Sequence, residues 1–420
     1  MAWSGCGPKC IPPWTPRYRY LDLLFALMGT AAFLVDLAAD VWVAASYLQA
    51  GHCYWGGLVL GLLGLSSLTT QLFSWAWYRG DAKELRRDQV TDQTLLTLHF
   101  LQLGYLYRCL HALKVGFQVC RKEAPTEAER GYAVFLSHDI SLLRLFETFL
   151  ESAPQLTLGL YIILHTSKAE TFQTLGICTS FVCIAWTLLD YHQSLRIFLR
   201  DKHKLGILSS AVYFLWNFLL VCPRILSLAL FTVLFPSYIF LHFLGVWAAM
   251  FLWVTLQGTD FMEHASYEWL YRAVVAVVLY FCWFNVAEGK TRFRSAIYYT
   301  FLMLDSALLT CFWVWHNLPL SWDSPVLYAL LAALPCNGVG ILLRCIYYRS
   351  FHPTLQTASL ASYDEVDTRG LAGDDAAVSQ PEVVTGPINQ RTYKLSQSLF
   401  ASLSQDIRGQ QNGAFGNVSL

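Results

Sequence analysis

The chain has 420 residues, 55% hydrophobic, 15% aromatic and only 14% charged, with 29 basic and 29 acidic side chains and a formal net charge of zero. An ordinary soluble domain carries about a quarter charged residues, and the mean hydropathy of +0.41 points to an integral membrane protein built from apolar runs of spanning length. The balance excludes a nucleic-acid binder working through a broad basic surface, and the composition excludes a disordered or a disulfide-stapled secreted chain.

Residues 1–20 form a cytosolic segment with three prolines before Thr15 and without the basic-then-apolar order of a signal peptide, so the run from Leu21 is expected to be an uncleaved span. Ten apolar stretches follow, at about 21–48, 54–78, 94–118, 135–165, 171–199, 207–234, 236–257, 269–287, 295–316 and 325–348. After Tyr348 the composition turns to Ser, Gln, Gly, Asp and Thr, and 351–420 read as a disordered cytosolic tail. The twelve cysteines mostly sit in the apolar runs without a CxxC pair, which reads as small buried hydrophobes rather than metal ligands. No P-loop, GxSxG, HExxH or dinucleotide-binding glycine pattern is present; no cofactor or metal is expected, and an ATP-driven pump of the P-loop type is excluded.

Lys and Arg set the topology. If all ten stretches crossed, Arg121, Lys122, Arg130, Arg200, Lys202 and Lys204 would face outward. If the third and eighth stretches enter and leave on one side, these join the other loop cations inside and only Lys168 lies outside. The expected fold is therefore all-α and polytopic: eight transmembrane helices plus two re-entrant membrane-inserted helices, with both termini cytosolic. Each half then becomes two spans, a re-entrant helix and two spans, giving pseudo-repeats at about 21–199 and 207–348 within a membrane domain of 21–350.

Ionisable groups inside the layer are costly and are functional candidates by default. The first stretch holds Asp22, Asp36 and Asp40. At helical spacing Asp22 and Asp40 point the same way, with Asp36 about 40° off, and their separation rises roughly 27 Å. The fourth carries Arg144, Glu147, Glu151 and Gln155 in one stripe, with Pro154 expected to kink the helix. Arg108, Asp190, Arg224 and Asp305 lie in other stretches, and the acidic first helix together with Arg108, Arg144 and Arg224 allows interhelical ion pairs. Such charges either fix helix packing or line a polar track between leaflets. Trp55, at the outer end of the second stretch, is either an interfacial belt residue or a gate.

In the tail, Asp364-Glu365-Val366-Asp367 is followed by Thr368, and an extended four-residue acidic site in disordered backbone suits a protease. Beyond it, Leu395, Leu399, Phe400 and Leu403 fall on one side of a helix, an apolar stripe expected to dock on the cytosolic face and hold a closed state.

The stretches LQLGYLYRC (101–109), DISLLRLFETFLESAPQLTL (139–158), LLDYHQSLR (188–196), YFLWN (213–217), LQGTDFM (256–262) and YFCWFNVAEGKTR (280–292) resemble the XK-related family over residues 20–350. The resemblance implies an ATP-independent phospholipid scramblase of the plasma membrane, not an enzyme, which displays phosphatidylserine on apoptotic cells as an engulfment signal. It further implies that the tetrapeptide is an executioner-caspase site cut after Asp367, and that a single-span immunoglobulin-type chaperone such as basigin or neuroplastin is a partner. By position it carries the family's intramembrane polar residues onto Asp22, Asp36, Asp40, Arg108, Glu147, Glu151, Asp190, Arg224 and Asp305. From the residues alone, a secondary transporter or channel for a small polar solute stays open, as does a purely structural membrane subunit.

Overall fold

The computed structural model describes residues 18–80, 90–166, 171–198, 205–259, 261–262, 264–286, 291–317 and 325–351. The tail motif 364–368 and the stripe residues 395, 399, 400 and 403 lie outside the described residues, as do most of the N-terminal segment and several basic loops. All regular structure among the described residues is helical.

Helix α1 (Tyr20–Gln49) opens with a reciprocal cap in which the Arg19 N–H donates to Asp22 Oδ2 at 2.9 Å. A short turn through Gly51, at φ +82°, leads to α2 (Cys53–Gly80). The third apolar stretch is a broken pair, α3 (Asp92–Phe100) and α4 (Gly104–Arg121), with Gln102 at the break in the left-handed region at φ +62°. Backbone groups freed in lipid must find partners inside the protein, and Gln71 of α2 supplies two. Its Nε2 donates to Gln102 O at 3.0 Å and its Oε1 accepts from the Tyr105 N–H at 3.1 Å. Gly104 is required at the restart, since a Cβ there would run into the His99 ring.

The fourth stretch comprises α5 (Glu127–Glu147), a π-helical turn Thr148–Ser152 and α6 (Ala153–Thr166). Pro154 has no N–H and its ring crowds the Leu150 carbonyl; the wide turn lying just before it accommodates both effects. Next come α7 (Thr171–Phe198), α8 (Ile207–Leu234) and α9 (Tyr238–Gln257), which stops at Gly258 in the left-handed region. Helix α10 (Ala265–Phe281) begins and ends earlier than its apolar stretch, because Cys282 is extended; Asn285 therefore lies on non-helical chain. Helices α11 (Thr291–His316) and α12 (Pro325–Ile346) follow, the latter running into a π-helical turn at Tyr347–Phe351.

Among the described residues six helices, α1, α2, α8, α9, α11 and α12, are long and apolar enough to cross a membrane, as in a polytopic membrane protein. Helix α5 is buried on every face from Tyr132 to Leu136 and again from Ile140 to Phe146. It forms the centre of the bundle, where Phe146 packs on Phe73 and Tyr271, and Phe149 of the following turn on Phe281. A helix so enclosed meets protein rather than lipid and can carry charge.

The two halves close differently. Helix α8 packs tightly along α12, and a Cβ on Gly340 would stand 2.7 Å from a Leu220 methyl. Helix α1 packs on α2 and α4 but barely touches α7, and a cleft opens between them. The cysteines depart from expectation: Cys109 and Cys282 are buried, whereas Cys53, Cys178, Cys183, Cys311 and Cys345 are exposed. The outer face of a membrane bundle is as apolar as its core, so small hydrophobes serve on both.

Candidate functional site

Helix α1 buries only Gly29, Thr30, Asp40 and Ala44. Of these, Gly29 and Asp40 face the seam formed by α5, the π-helical turn and α6, while Thr30 lies beside Cys109 of α4 and Ala44 beside Gly56 of α2; the charges expected on α1 and in the fourth stretch meet in that seam.

At the N-terminal end of α1, a cleft of about 710 Å³, part of it open to the exterior, is walled by α1, α5 and α7. Asp22, Ser137, Ser141, Arg144, Asp190 and Gln193 line it. Arg144 Nη1 donates to Asp190 Oδ2 at 3.0 Å. Its guanidinium lies against the α1 backbone at Gly29, where a Cβ would collide with it. Glu147 follows one turn along α5 and neighbours both Asp36 and Asp40.

Further along, Ser152 Oγ donates to Asp36 Oδ2 and Gln155 Nε2 to Asp40 Oδ2, each at 3.2 Å. The Asp40 and Glu151 side chains touch. Four carboxyl groups from two facing segments thus gather beyond a single guanidinium. Asp40 and Glu151 are buried, but Asp36 is exposed on the outer surface of the bundle. Trp55 stands at the far end of α1, half-buried in the α1–α2 turn, with its ring 4.5 Å from His52 and 5.8 Å from Tyr47.

Arg108 and Arg224 do not join this seam; the interhelical ion pairs that the sequence allows do form, but those of Arg108, Arg144 and Arg224 run to acids on helices other than α1. Arg108 is wholly buried and donates to Asp139 of α5 at 2.6 Å, to Ser74 Oγ at 3.1 Å and to Ser74 O at 2.9 Å, with its guanidinium 4.1 Å from the Tyr78 ring centre. Arg224 of α8 donates to Asp305 of α11 at 2.6 Å, to Ser306 Oγ and to Tyr280 O, both at 3.1 Å. His242 of α9 lies 3.1 Å from the other Asp305 oxygen and 2.9 Å from Tyr280 Oη. A buried ion pair needs several further hydrogen bonds to offset its desolvation, and these knots have them. Each ties together three or four helices.

Asp139, His242 and Tyr280 escaped the sequence reading, as did Glu268, whose buried carboxylate accepts the Phe261 and Met262 N–H groups at 3.0 and 2.7 Å and contacts Thr259. For Asp139 the available signal was an acid inside the apolar run 135–165, five residues before Arg144. Among the described residues no group of three His, Cys, Asp or Glu side chains is placed to hold a metal ion.

The XK-related protein family model matches residues 24–353. XK-related protein 8 of Pan troglodytes is 49% identical over 389 residues, covering 92% of this chain and 96% of the relative. XK-related protein 8 of Gasterosteus aculeatus is 45% identical over 351 residues, covering 81% and 86%; that of Tetraodon nigroviridis is 44% identical over 349 residues, covering 81% and 85%.

Proposed function

This chain belongs to the XK-related family, and from that membership and the seam along α1 we propose that it is a caspase-activated, ATP-independent phospholipid scramblase of the plasma membrane. The observation that carries the reading is the exposure of Asp36. Its carboxylate opens a line of charged and polar groups, from Asp22 to Asp40, onto the outside of the bundle rather than into a sealed cavity. A solute carrier encloses its cargo. A headgroup whose acyl chains remain in the bilayer needs a polar seam with one open edge.

Lowering the barrier requires no energy source, because the wetted, charged surface replaces part of the hydration that a headgroup loses in hydrocarbon. In this reading α3–α4 and α10 are the two re-entrant elements beside eight spans. The broken α3–α4 pair supports this, as does α10, whose 17 residues rise only about 25 Å. The arrangement keeps both termini cytosolic, where an executioner caspase reaches Asp364–Asp367, cuts before Thr368 and removes the stripe at Leu395, Leu399, Phe400 and Leu403. A single-span immunoglobulin-type chaperone escorts the protein to the surface, and the exposed phosphatidylserine marks the dying cell.

The test is reconstitution of tail-trimmed protein into vesicles carrying fluorescent phospholipids in both leaflets. Full bleaching by a membrane-impermeant reductant supports scrambling. Bleaching confined to the outer leaflet, together with uptake of a small polar solute, replaces it with the transporter reading.

A further inference from the structure

Helices α8 and α12 run antiparallel and in close contact. Tyr347, just past α12, packs on Tyr213 and Trp216. Gly340 faces Leu219 and Leu220, and further along Leu330 shares a small apolar cluster with Leu230. From the Leu219–Gly340 contact, three residues forward on α8 and four back on α12 move one turn in the same direction and stay on the facing sides. Those steps arrive at Cys222 and Cys336. Cys222 is within electrostatic reach of Cys336, and also of Cys178 on α7. All three are free thiols; Cys222 and Cys336 are half-buried, and Cys178 is exposed.

Both members of the pair lie near the middle of their helices, Cys222 in Ile207–Leu234 and Cys336 in Pro325–Ile346. In a spanning helix that position is surrounded by hydrocarbon and remote from water. A disulfide needs Cα atoms within about 7 Å. One turn away, the absent side chain of Gly340 lets the two backbones approach as a disulfide requires.

The surroundings also select the oxidant. Apolar burial suppresses the thiolate on which exchange with an aqueous oxidant depends. Hydrogen-atom transfer from a neutral thiol separates no charge and suits this depth.

We propose that Cys222 and Cys336 form an oxidation site for lipid peroxyl radicals and close to a disulfide that staples α8 to α12. Each thiol gives its hydrogen atom to one peroxyl radical: S–H breaks, O–H forms, and the peroxyl is reduced to a hydroperoxide. The two sulfur radicals then pair as S–S. Two thiols and two peroxyl radicals thus yield one disulfide and two hydroperoxides.

The experiment places the full-length protein in vesicles of polyunsaturated phosphatidylcholine and generates peroxyl radicals in air with a lipid-soluble azo initiator. Remaining thiols are alkylated, and the digest is read by mass spectrometry without reduction. The expected result is joint loss of alkylation at Cys222 and Cys336, with a reducible cross-link between their peptides. Cys336→Ser, or Cys336→Ala if the hydroxyl disturbs folding, should abolish the cross-link. Cys53 and Cys311, exposed on α2 and α11, are controls: their oxidation without a Cys222–Cys336 disulfide overturns the proposal. A disulfide from Cys222 to Cys178 in place of Cys336 overturns the pairing. Equally fast closure by membrane-impermeant tetrathionate overturns the assignment to a lipid-borne oxidant.

Discussion

The guanidinium of Arg144 rests on the backbone of α1 at Gly29, in the space that a Cβ would occupy. This contact joins the first helix to the buried centre of the bundle and aims Nη1 at Asp190. Replacing Gly29 by Ala would ordinarily stabilise a helix by roughly 0.5–1 kcal/mol. Here overpacking should reverse the sign, costing about 1–3 kcal/mol. Thermal unfolding in detergent checks this, and a more stable Gly29→Ala protein would contradict the geometry.

Asp36→Asn and Asp40→Asn keep side-chain size and can still accept from Ser152 and Gln155, so folding should survive. Removing either charge from the seam should slow lipid movement about tenfold, a barrier change of ~1.4 kcal/mol. Vesicle assays on tail-trimmed variants measure it. Rates unchanged in both variants would take the seam out of the mechanism.

Arg108 and Asp139 form a structural knot with no open edge. Arg108→Met or Asp139→Leu alone should destabilise by roughly 3–5 kcal/mol, because each removes the opposite charge that compensates a buried one. The double variant should recover much of the loss while lipid movement remains. A double variant as unstable as the worse single one would show that the pair matters for more than mutual neutralisation.

If the tail docks through its apolar stripe as proposed, replacing Leu399, Phe400 and Leu403 together by Ser should activate the uncut protein. Asp367→Ala should leave the intact chain silent after caspase treatment. Phosphatidylserine exposure on cells expressing each variant reports both outcomes. Silence of the triple-Ser protein until it is cut would refute docking through these side chains.

Much of the architecture was legible because membrane helices announce themselves by length and apolarity; the bounds of α1, α8 and α11 fall within a few residues of the apolar stretches. The stripe Arg144–Glu147–Glu151–Gln155 was legible from periodicity and does face α1. Partner choice was not. Whether Arg224 meets an acid on α1 or on α11 depends on helix order in space, which a one-dimensional pattern does not contain. The break at Gln102 was hidden for a related reason: a left-handed residue without Gly or Pro is tolerated only because Gln71, about thirty positions earlier, satisfies the freed backbone. The π-helical turn before Pro154 was foreshadowed as a kink, and its form depended on the carbonyl that the proline ring displaces.

The enclosure of α5 bears on how the chain enters the bilayer. A segment carrying Asp139, Arg144 and Glu147 would cost about 2.5–3.5 kcal/mol per mid-span Asp or Arg if it left the translocon alone. Its counter-charges come from Arg108 upstream and Asp190 downstream, so it has to be retained until α7 is synthesised and partition with its neighbours as a unit. Biogenesis is thus exposed to any lesion that unmatches those charges, and such variants are expected to give less membrane-inserted protein.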